Sequence, residues 1–589
     1  MRVRRVQVEN YRGIKSLDWR IPADKKFVCL IGPGDSCKST ILDAIHLALG
    51  ERWSLPVSDT DFFAADVASA IVIRVALADL PNEIRSHAQL GLHLSGINDD
   101  SDWEHDPVDG YEPCVIVQLM IDKDMEPVWS AYRPGGTEPF ATIGSGTRRR
   151  FAVFKVDERI DNHLRWTRTS ALTRLTDASH GASGTLATAL RAAQGAVAEA
   201  ITPEMQSLTD DVGRRLGSVG SGEFTELKPG LDTSLSSSGG TLALFEGDVP
   251  LTNFGLGTRR LAGIATQEMA MANKSVILID EVEYGLEPHR LVHLLKHLRS
   301  DAKHAQVFVT THSAVAIEQL DSSDLAVIRT SNGDVGGTPV PTDMKFAQST
   351  LRGGPSAFLA KRIIVTEGKT EFGLLLGMID VWDERAATGG TPSSAARGVA
   401  ITDGEGSKAP NRARVLAELG YDVALFVDND NRDSDRAVAD AKAAGVRVFT
   451  WQFGNATEDE IVGSLDALAL KDLLGVASVV RANASTVKSD LLNVSLSGPR
   501  IPGVDIETWI ASGDFTLGTA RSLVAKAALK AKWFKSVEPG RLLSEYVITH
   551  FESLMPTPFG VILLELKAYI YPPAEVPTES ESSAAFEEQ

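Results

Sequence analysis

The sequence predicts an α/β chain with two strand-and-helix units in series, and three stretches predict it. Residues 27–49 read as a short apolar strand, a glycine turn and an amphipathic helix. Residues 274–281 read as a buried strand ending in two carboxylates. After residue 360, apolar strands at 363–365 and 423–427 each run into acids. Short apolar runs bounded by turn residues suit strands covered on both faces, and their alternation with helical periodicity suits parallel pairing. At 589 residues the chain exceeds what one core serves, so it divides into several units.

The charge narrows the function classes. A net charge of −19 excludes coating nucleic acid by bulk attraction and leaves contact that is local or metal-assisted. Part of that charge sits after Pro573, where five glutamates and no basic residue predict a disordered acidic tail, 573–589. The three cysteines, Cys29, Cys37 and Cys114, have neither zinc-site nor disulfide spacing, which suits a reducing compartment. No apolar signal core opens the chain and no run of eighteen apolar residues occurs, so a cytoplasmic protein without membrane contact is expected.

The sequence IGPGDSCKST at 31–40 carries the first site. Gly32 and Gly34 let the backbone wrap so that successive N–H groups point inward, and the helix that follows adds its positive end, which makes a phosphate cradle. Lys38 then neutralises the outer phosphates, Ser39 ligates magnesium, and Thr40 completes the nucleotide-binding set. Cys37 stands where G-x-x-x-x-G-K-[ST] has glycine, so its side chain has to turn away from the phosphates, and ATP turnover is in question more than ATP binding. Before this loop, Val3, Val6 and Val8 predict an edge strand turning at Tyr11-Arg12-Gly13 into a hairpin. After it, the helix stops at Gly50, and strand pairs follow at 70–77 and 114–132, with a polar surface loop at 91–111 between them.

Residues 158–230 turn alanine-rich and helical, with Leu186, Leu190, Ala193 and Val197 on one face. Too little apolar bulk is present for this segment to fold alone. It is either an inserted arm packing on a second copy or a helical layer of the same domain. Residues 231–250 predict a hairpin returning to the sheet. The strand at 274–280 then delivers Asp280 to hold magnesium through water and Glu281 to polarise the attacking water. QVFVTTHS delivers His312 to the end of the next strand, as a sensor of the terminal phosphate or as a structural histidine. Upstream, NFGLGTRRLAGIA is a glycine-containing turn into a helix. This order of phosphate loop, glycine-rich helix start, acidic strand and histidine resembles the ABC-type ATPases, particularly their RecF and SMC branch. The resemblance implies a homodimer in which Gly255, Gly257 and Thr258 face the partner's ATP.

A new unit begins near Ala360. KRIIVTEGKTEF places Glu367 at a strand end, Gly368 at the turn and Glu371 one helical turn on; DVALFVDNDN places Asp428 and Asp430 after a second strand, where a bend at Asn429 lets both converge. Together the two pairs suit one or two hard cations. This E-G-x-x-E plus D-x-D pattern resembles the Toprim domain of topoisomerases, primases and certain nucleases. NATEDEIV at 455–462 adds a third acidic group, with Glu458 as the first choice of further ligand and Glu460 the second. KAALKAKWFK at 526–535 predicts a basic helix with Trp533 and Phe534 inside it, and Lys535 is the candidate catalytic lysine, the alternative being a solvated helix face. Arg148, Arg149 and Arg150 form a small basic run suited to a phosphate backbone.

An ABC-type ATPase followed by a Toprim unit resembles the OLD (overcoming lysogenization defect) family of ATP-dependent endonucleases, class 2-like and related to the Gabija nuclease subunit. The late WFK, followed by Gly540, fits that family's lysine motif. The resemblance implies an α/β fold with an ABC/SMC-type P-loop ATPase, an inserted helical dimerisation arm and a Toprim α/β domain. The corresponding boundaries are 1–157 and 231–355 for the ATPase, 158–230 for the arm and 356–572 for the nuclease head. It implies ATP, Mg2+ with Mn2+ or Ca2+ as the nuclease-site alternatives, and a homodimer acting on DNA, with a UvrD-like helicase as candidate partner and phage defence or repair as setting. The carried-over nuclease residues are Glu367, Glu371, Asp428, Asp430, Glu458 and Lys535. Primase is disfavoured by the absence of zinc-binding cysteines, and topoisomerase by the lack of a separate tyrosine domain. A non-nucleolytic RecF- or SMC-like DNA clamp, with the late carboxylates structural, is the alternative.

Overall fold

The computed structural model describes residues 1–572 without 87–89, 138, 157–159, 166–169, 173, 247–248, 271–274, 301–303, 342–343, 431, 453, 496–507 and 510–514 and, isolated positions aside, without 175–243. The expected helical arm with Leu186, Leu190, Ala193 and Val197, the first part of the 231–250 hairpin and the acidic tail therefore lie outside the described residues.

The elements follow the apolar runs. Strands β1 (Arg2–Tyr11) and β2 (Ile14–Arg20) precede β3 (Phe27–Ile31), all five of whose residues are buried. Helix α1 (Lys38–Leu49) buries Ile41, Leu42, Ile45 and Ala48, and closes where Gly50 N donates to His46 O at 2.8 Å. Next come β4 (Ile71–Ala78), β5 (Glu112–Ile121), β6 (Pro127–Tyr132) and β7 (Val153–Val156). Helix α2 (Leu256–Ala270), β8 (Ser275–Ile279), α3 (Pro288–Ser300) and β9 (His304–Thr310) follow.

Contacts divide the chain into two compact units, one of Met1–Arg12, Arg20–Val28 and Ser39–Thr310, the other of Gly13–Trp19, Cys29–Lys38 and the chain from Thr311 on. In the first, β8 lies between β7 and β9, all parallel, and β1, β4, β5 and β6 form an antiparallel run. A bulge between Val3 and Arg5 shifts the register of β1, which is why Val3, Val6 and Val8, spaced three and then two apart, are all buried. The expected loop at 91–111 contains two short paired strands, Ser95–Ile97 and Trp103–Glu104. They form because Ile97 packs with Cys114 and Ile116 in a small core of their own.

In the second unit, β10 (Leu325–Ser331) pairs in parallel with residues 29–31 and antiparallel with β11 (Asp334–Pro339), and β11 pairs with β2. A separate sheet of four parallel strands follows, formed by β12 (Arg362–Thr366), β13 (Val399–Asp403), β14 (Asp422–Val427) and β15 (Arg447–Thr450) in the order β13-β12-β14-β15. Helix α4 (Lys369–Thr388) leaves β12, α5 (Thr457–Ser464) follows β15, and α6 (Ala467–Val480), α7 (Leu517–Ala531) and α8 (Val537–Thr549) complete a core with Trp382, Trp451, Trp533 and Phe534. Residues 311–355 go with this unit: Arg329 stacks over the Tyr421 ring at 4.8 Å, and Arg412 occupies the space a side chain at Gly353 would need. Among the described residues, no helix is long and apolar enough to cross a membrane.

Candidate functional site

The turn after β3 is shaped by its own backbone. Gly32 has φ +141°, and a Cβ there would lie 2.3 Å from Ile328 O, so only glycine fits. Asp35 and Cys37 both adopt left-handed φ, 59° and 66°. The sequence motif has glycine at the position of Cys37 for this reason, and a side chain there carries strain of about 1 kcal/mol. Cys37 turns towards Gly13, whose own missing Cβ would stand 2.9 Å from the Cys37 sulfur. Burial, then Asp35, push the thiol above its ordinary value, against the pull of Lys38. Lys38 is buried, and its Nζ donates to Gly32 O (3.1 Å), Pro33 O (2.6 Å) and Ser36 Oγ (3.1 Å), so the loop already holds a cation over its carbonyls.

Ser39, the next residue, donates from Oγ to Asp280 Oδ1 at 2.8 Å. Thr310 Oγ1 donates to the same oxygen at 2.6 Å and accepts from Glu281 N at 2.8 Å. Arg260, buried, donates to the carbonyls of Asp280 (2.7 Å) and Glu281 (2.8 Å) and so fixes the strand end from behind. A hydroxyl and a carboxylate this close are a natural pair of magnesium ligands. Glu281 is exposed with left-handed φ of 45°, and His312 is exposed just past β9. Of the three residues around the start of α2, Gly255 is open: among the described residues nothing lies within 4 Å of where a Cβ would stand. A Cβ on Gly257 would instead lie 2.6 Å from Gly285 O, and Thr258 Oγ1 accepts from Arg290 Nη1 at 3.2 Å. Gly257 is thus already required by packing within its own chain. Replacement of Lys38 by alanine is expected to weaken ATP binding roughly 10–100-fold, the worth of charged hydrogen bonds to phosphate; titration with a fluorescent nucleotide measures it, and an unchanged affinity would contradict the role.

The late carboxylates converge. Glu367, at the end of β12, accepts from Asp428 N at 2.8 Å. Glu371 Oε2 accepts from Gly368 N at 3.0 Å and caps α4, while its Oε1 accepts from Thr457 Oγ1 at 2.8 Å. The same hydroxyl lies 2.5 Å from Asp428 Oδ1 and accepts from Trp451 Nε1 at 2.8 Å. One hydroxyl proton cannot serve two carboxylates at once. Consistently, burial, then Glu371 and Glu367, push the Asp428 carboxyl up to about 8, against Thr457 and Lys535. Burial also raises Glu367, with Glu371 and Asp430 adding to it. Glu458 is 1% exposed, and among the described residues neither of its buried carboxylate oxygens has a hydrogen-bond partner. Lys535 keeps a raised pKa despite burial because Glu458, Glu371, Asp428 and Glu367 all act on it. Asp430 is exposed at the rim.

Three expectations from sequence are corrected. Glu460 accepts from Asn455 Nδ2 at 2.7 Å and ties the loop before α5, so it serves that turn and not the cluster. The basic helix stops at Ala531, where Lys532 turns left-handed; Trp533 and Phe534 are each 1% exposed in the core and offer no aromatic surface beside the lysines. Arg148 is buried, stacked 3.6 Å over Trp129 and bonded to the carbonyls of Gly50 and Arg52, which removes it from any phosphate contact. Thr457, Thr310 and Arg260 escaped the sequence reading. Thr457 opens the acidic helix and Thr310 precedes Thr311-His312, but neither pattern distinguishes a bridging hydroxyl from a capping one.

Residues 27–318 match the family described as "AAA domain, putative AbiEii toxin, Type IV TA system". No curated protein matches the chain. Solved structures that overlap it include an SMC head bound to the C-winged helix domain of ScpA, with 13% identity, a TM-score of 0.35 and coverage of 58% of this chain and 98% of the other. The SMC head domain from Thermotoga maritima overlaps with 15% identity, a TM-score of 0.28 and coverage of 58% and 100%. An SMC head with an extended coiled coil, bound to the C-terminal domain of ScpA derived from Pyrococcus furiosus, does so with 13% identity, a TM-score of 0.32 and coverage of 57% and 95%. The family match and the loop and acidic strand described above make the N-terminal half a P-loop ATPase domain.

Proposed function

We propose that this P-loop ATPase chain is an ATP-binding, metal-dependent DNA endonuclease whose C-terminal unit hydrolyses phosphodiesters. The observation that carries the reading is the convergence of Glu367, Glu371, Asp428 and Glu458 on one lysine, with both oxygens of buried Glu458 unpartnered. Such a cluster is costly to hold without a cation, because like charges and burial both oppose ionisation. The donors are all hard oxygens, which fits magnesium or manganese, with calcium accepting the same set.

In this reading Glu367, Glu371, Asp428, Asp430 and Glu458 hold the cation or cations. Bound there, divalent cations steady the attacking and leaving oxygens of a phosphodiester. Thr457 positions Glu371 and Asp428 through one hydroxyl, and Glu371 is further fixed by capping α4. Lys535, exposed on one side, offers its ammonium to the phosphate charge that grows in the transition state. Ser39, Lys38 and Asp280 bind ATP with magnesium. A homodimer closing over ATP, action beside a UvrD-like helicase and a role in phage defence or repair extend the same proposal, as do the ATPase, arm and Toprim boundaries.

Conversion of supercoiled plasmid to nicked or linear forms with Mg2+, Mn2+ or Ca2+ tests it. Cutting by wild type that falls at least about 100-fold in Glu458→Gln is the expected result. If none of the three metals supports cutting by folded, ATP-binding protein, the clamp reading replaces it.

A further inference from the structure

A second cluster of candidate ligands lies within the first compact unit. Glu268 sits near the end of α2, His297 in the last turn of α3 and His304 at the first position of β9. One ligand atom from each lies within 4.8 Å of the other two. His297 Nε2 is 3.1 Å from Glu268 Oε2, and His304 Nε2 is 3.3 Å from Glu268 Oε1. The two imidazoles meet edge to face at 6.2 Å between centroids.

The partnering is incomplete. The His304 side chain is 6% exposed, and among the described residues neither of its ring nitrogens has a hydrogen-bond partner; Glu268 Oε1, opposite it, has none there either. The 3.3 Å approach is an ion-pair distance without hydrogen-bond alignment. A neutral imidazole always carries one N–H donor and one lone pair, so an unmet pair of ring nitrogens in the interior is costly. A hydrogen-bonded triad alone leaves that cost standing. A cation on Nε2 removes the lone-pair part of it.

We propose that Glu268, His297 and His304 form a binding site for a transition-metal dication of the zinc class. Two imidazoles and one carboxylate are the donor set such ions prefer, whereas magnesium and calcium prefer oxygen alone. Bonds of about 2.0–2.1 Å arranged tetrahedrally separate ligand atoms by about 3.4 Å; the two oxygens of Glu268 stand 3.1 Å from His297 Nε2 and 3.3 Å from His304 Nε2, and one oxygen with both nitrogens already lies within 4.8 Å, so a small side-chain shift brings the three to that spacing. Glu268 and His297 also stand at the carboxyl ends of their helices, whose partial negative charge favours a cation. Three protein ligands leave a fourth corner towards His297, whose side chain is 42% exposed, and that corner takes water or an outside ligand. The ion pins the end of α2 to the end of α3 and the start of β9, and so steadies the helix that follows Gly255 and carries Gly257 and Thr258 in its first turn.

The test uses the full chain, stripped with EDTA and returned to buffer with excess Mg2+ so that oxygen-donor sites are filled. Titration with Zn2+ is expected to give one tight site per chain with a dissociation constant of about 1 µM or below. Co2+ in its place is expected to give the visible absorption of a low-coordinate nitrogen and oxygen site. His297→Ala, whose side chain is partly in water and removable without opening the core, is expected to weaken Zn2+ binding at least about tenfold and to abolish the Co2+ band, with an unchanged melting curve in EDTA. Glu268→Gln is expected to do the same to both metal readouts. Absence of Zn2+ binding tighter than roughly 100 µM, or equal binding by wild type and both variants, overturns the site.

Discussion

Asp428→Asn is expected to reduce metal-dependent plasmid cutting by roughly 10³-fold or more while making the metal-free protein more stable at alkaline pH. Both effects come from one carboxyl. Burial and the neighbouring Glu371 raise it from 3.8 to about 8, so between those values the folded protein binds a proton that the unfolded chain has lost. Stability therefore falls as pH rises across that window, and the full penalty is present above about 8. The amide keeps the shape and removes the charge. In EDTA the melting temperature of Asp428→Asn is expected to exceed that of wild type, with the difference growing from pH 4 towards pH 8.5. Added Mn2+ is expected to raise the wild type's melting temperature and leave the variant's nearly unmoved. A variant that melts lower than wild type at pH 8.5 in EDTA, or that still cuts, contradicts the electrostatic account of the cluster.

How much of this was legible in the sequence depends on whether a residue acts through its neighbours in the chain. Gly32, Lys38 and Ser39 were readable because a phosphate loop is local: the turn, the strand before it and the helix after it occupy one stretch. Glu367 and Asp428 were readable because strand ends are announced by the apolar runs before them. Glu458 is harder, since it follows no strand directly; an acid-rich helix start looks like a capping device, which is what Asp459 does by accepting from Ala456 N at 3.2 Å. Trp533 and Phe534 were misread because the composition of an amphipathic helix and that of a helix stop followed by a core plug are the same. The cluster of Glu268, His297 and His304 could not be seen at all. Its members lie on three different elements, and only their packing brings them together.

Gly373→Ala is expected to destabilise the C-terminal unit by about 3 kcal/mol, lowering its calorimetric transition by roughly 5–10 °C, even though alanine is the better helix former. The cause is a crossing of α4 and α8 in which backbone meets backbone. A Cβ on Gly373 would lie 2.2 Å from Val537 O and 3.0 Å from the Gly540 Cα; one on Gly377 would lie 1.9 Å from Ser544 Oγ; one on Gly540 would lie 2.8 Å from Thr370 O. Glycines four apart on one helix therefore meet Gly540 and Ser544, four apart on the other, and nothing at the contact is a flexible side-chain end that could yield cheaply except Ser544. Gly475→Ala, in an exposed helical position where no described residue lies within 4 Å of the added methyl group, is the control, expected to be neutral or stabilising by about 0.4–1 kcal/mol. The crossing also reaches the site. Glu371 is in the first turn of α4, Lys535 lies two residues before α8, and Thr370 Oγ1 donates to Phe534 O at 3.0 Å, so the same close approach that excludes a methyl group sets the lysine against the carboxylates. Gly540→Ala is accordingly expected to impair cutting at temperatures where the protein remains folded, while ATP binding by Lys38 and Ser39 stays within about twofold of wild type. Equal loss of both activities would mean that the glycines matter for stability alone and that the position of Lys535 does not depend on them.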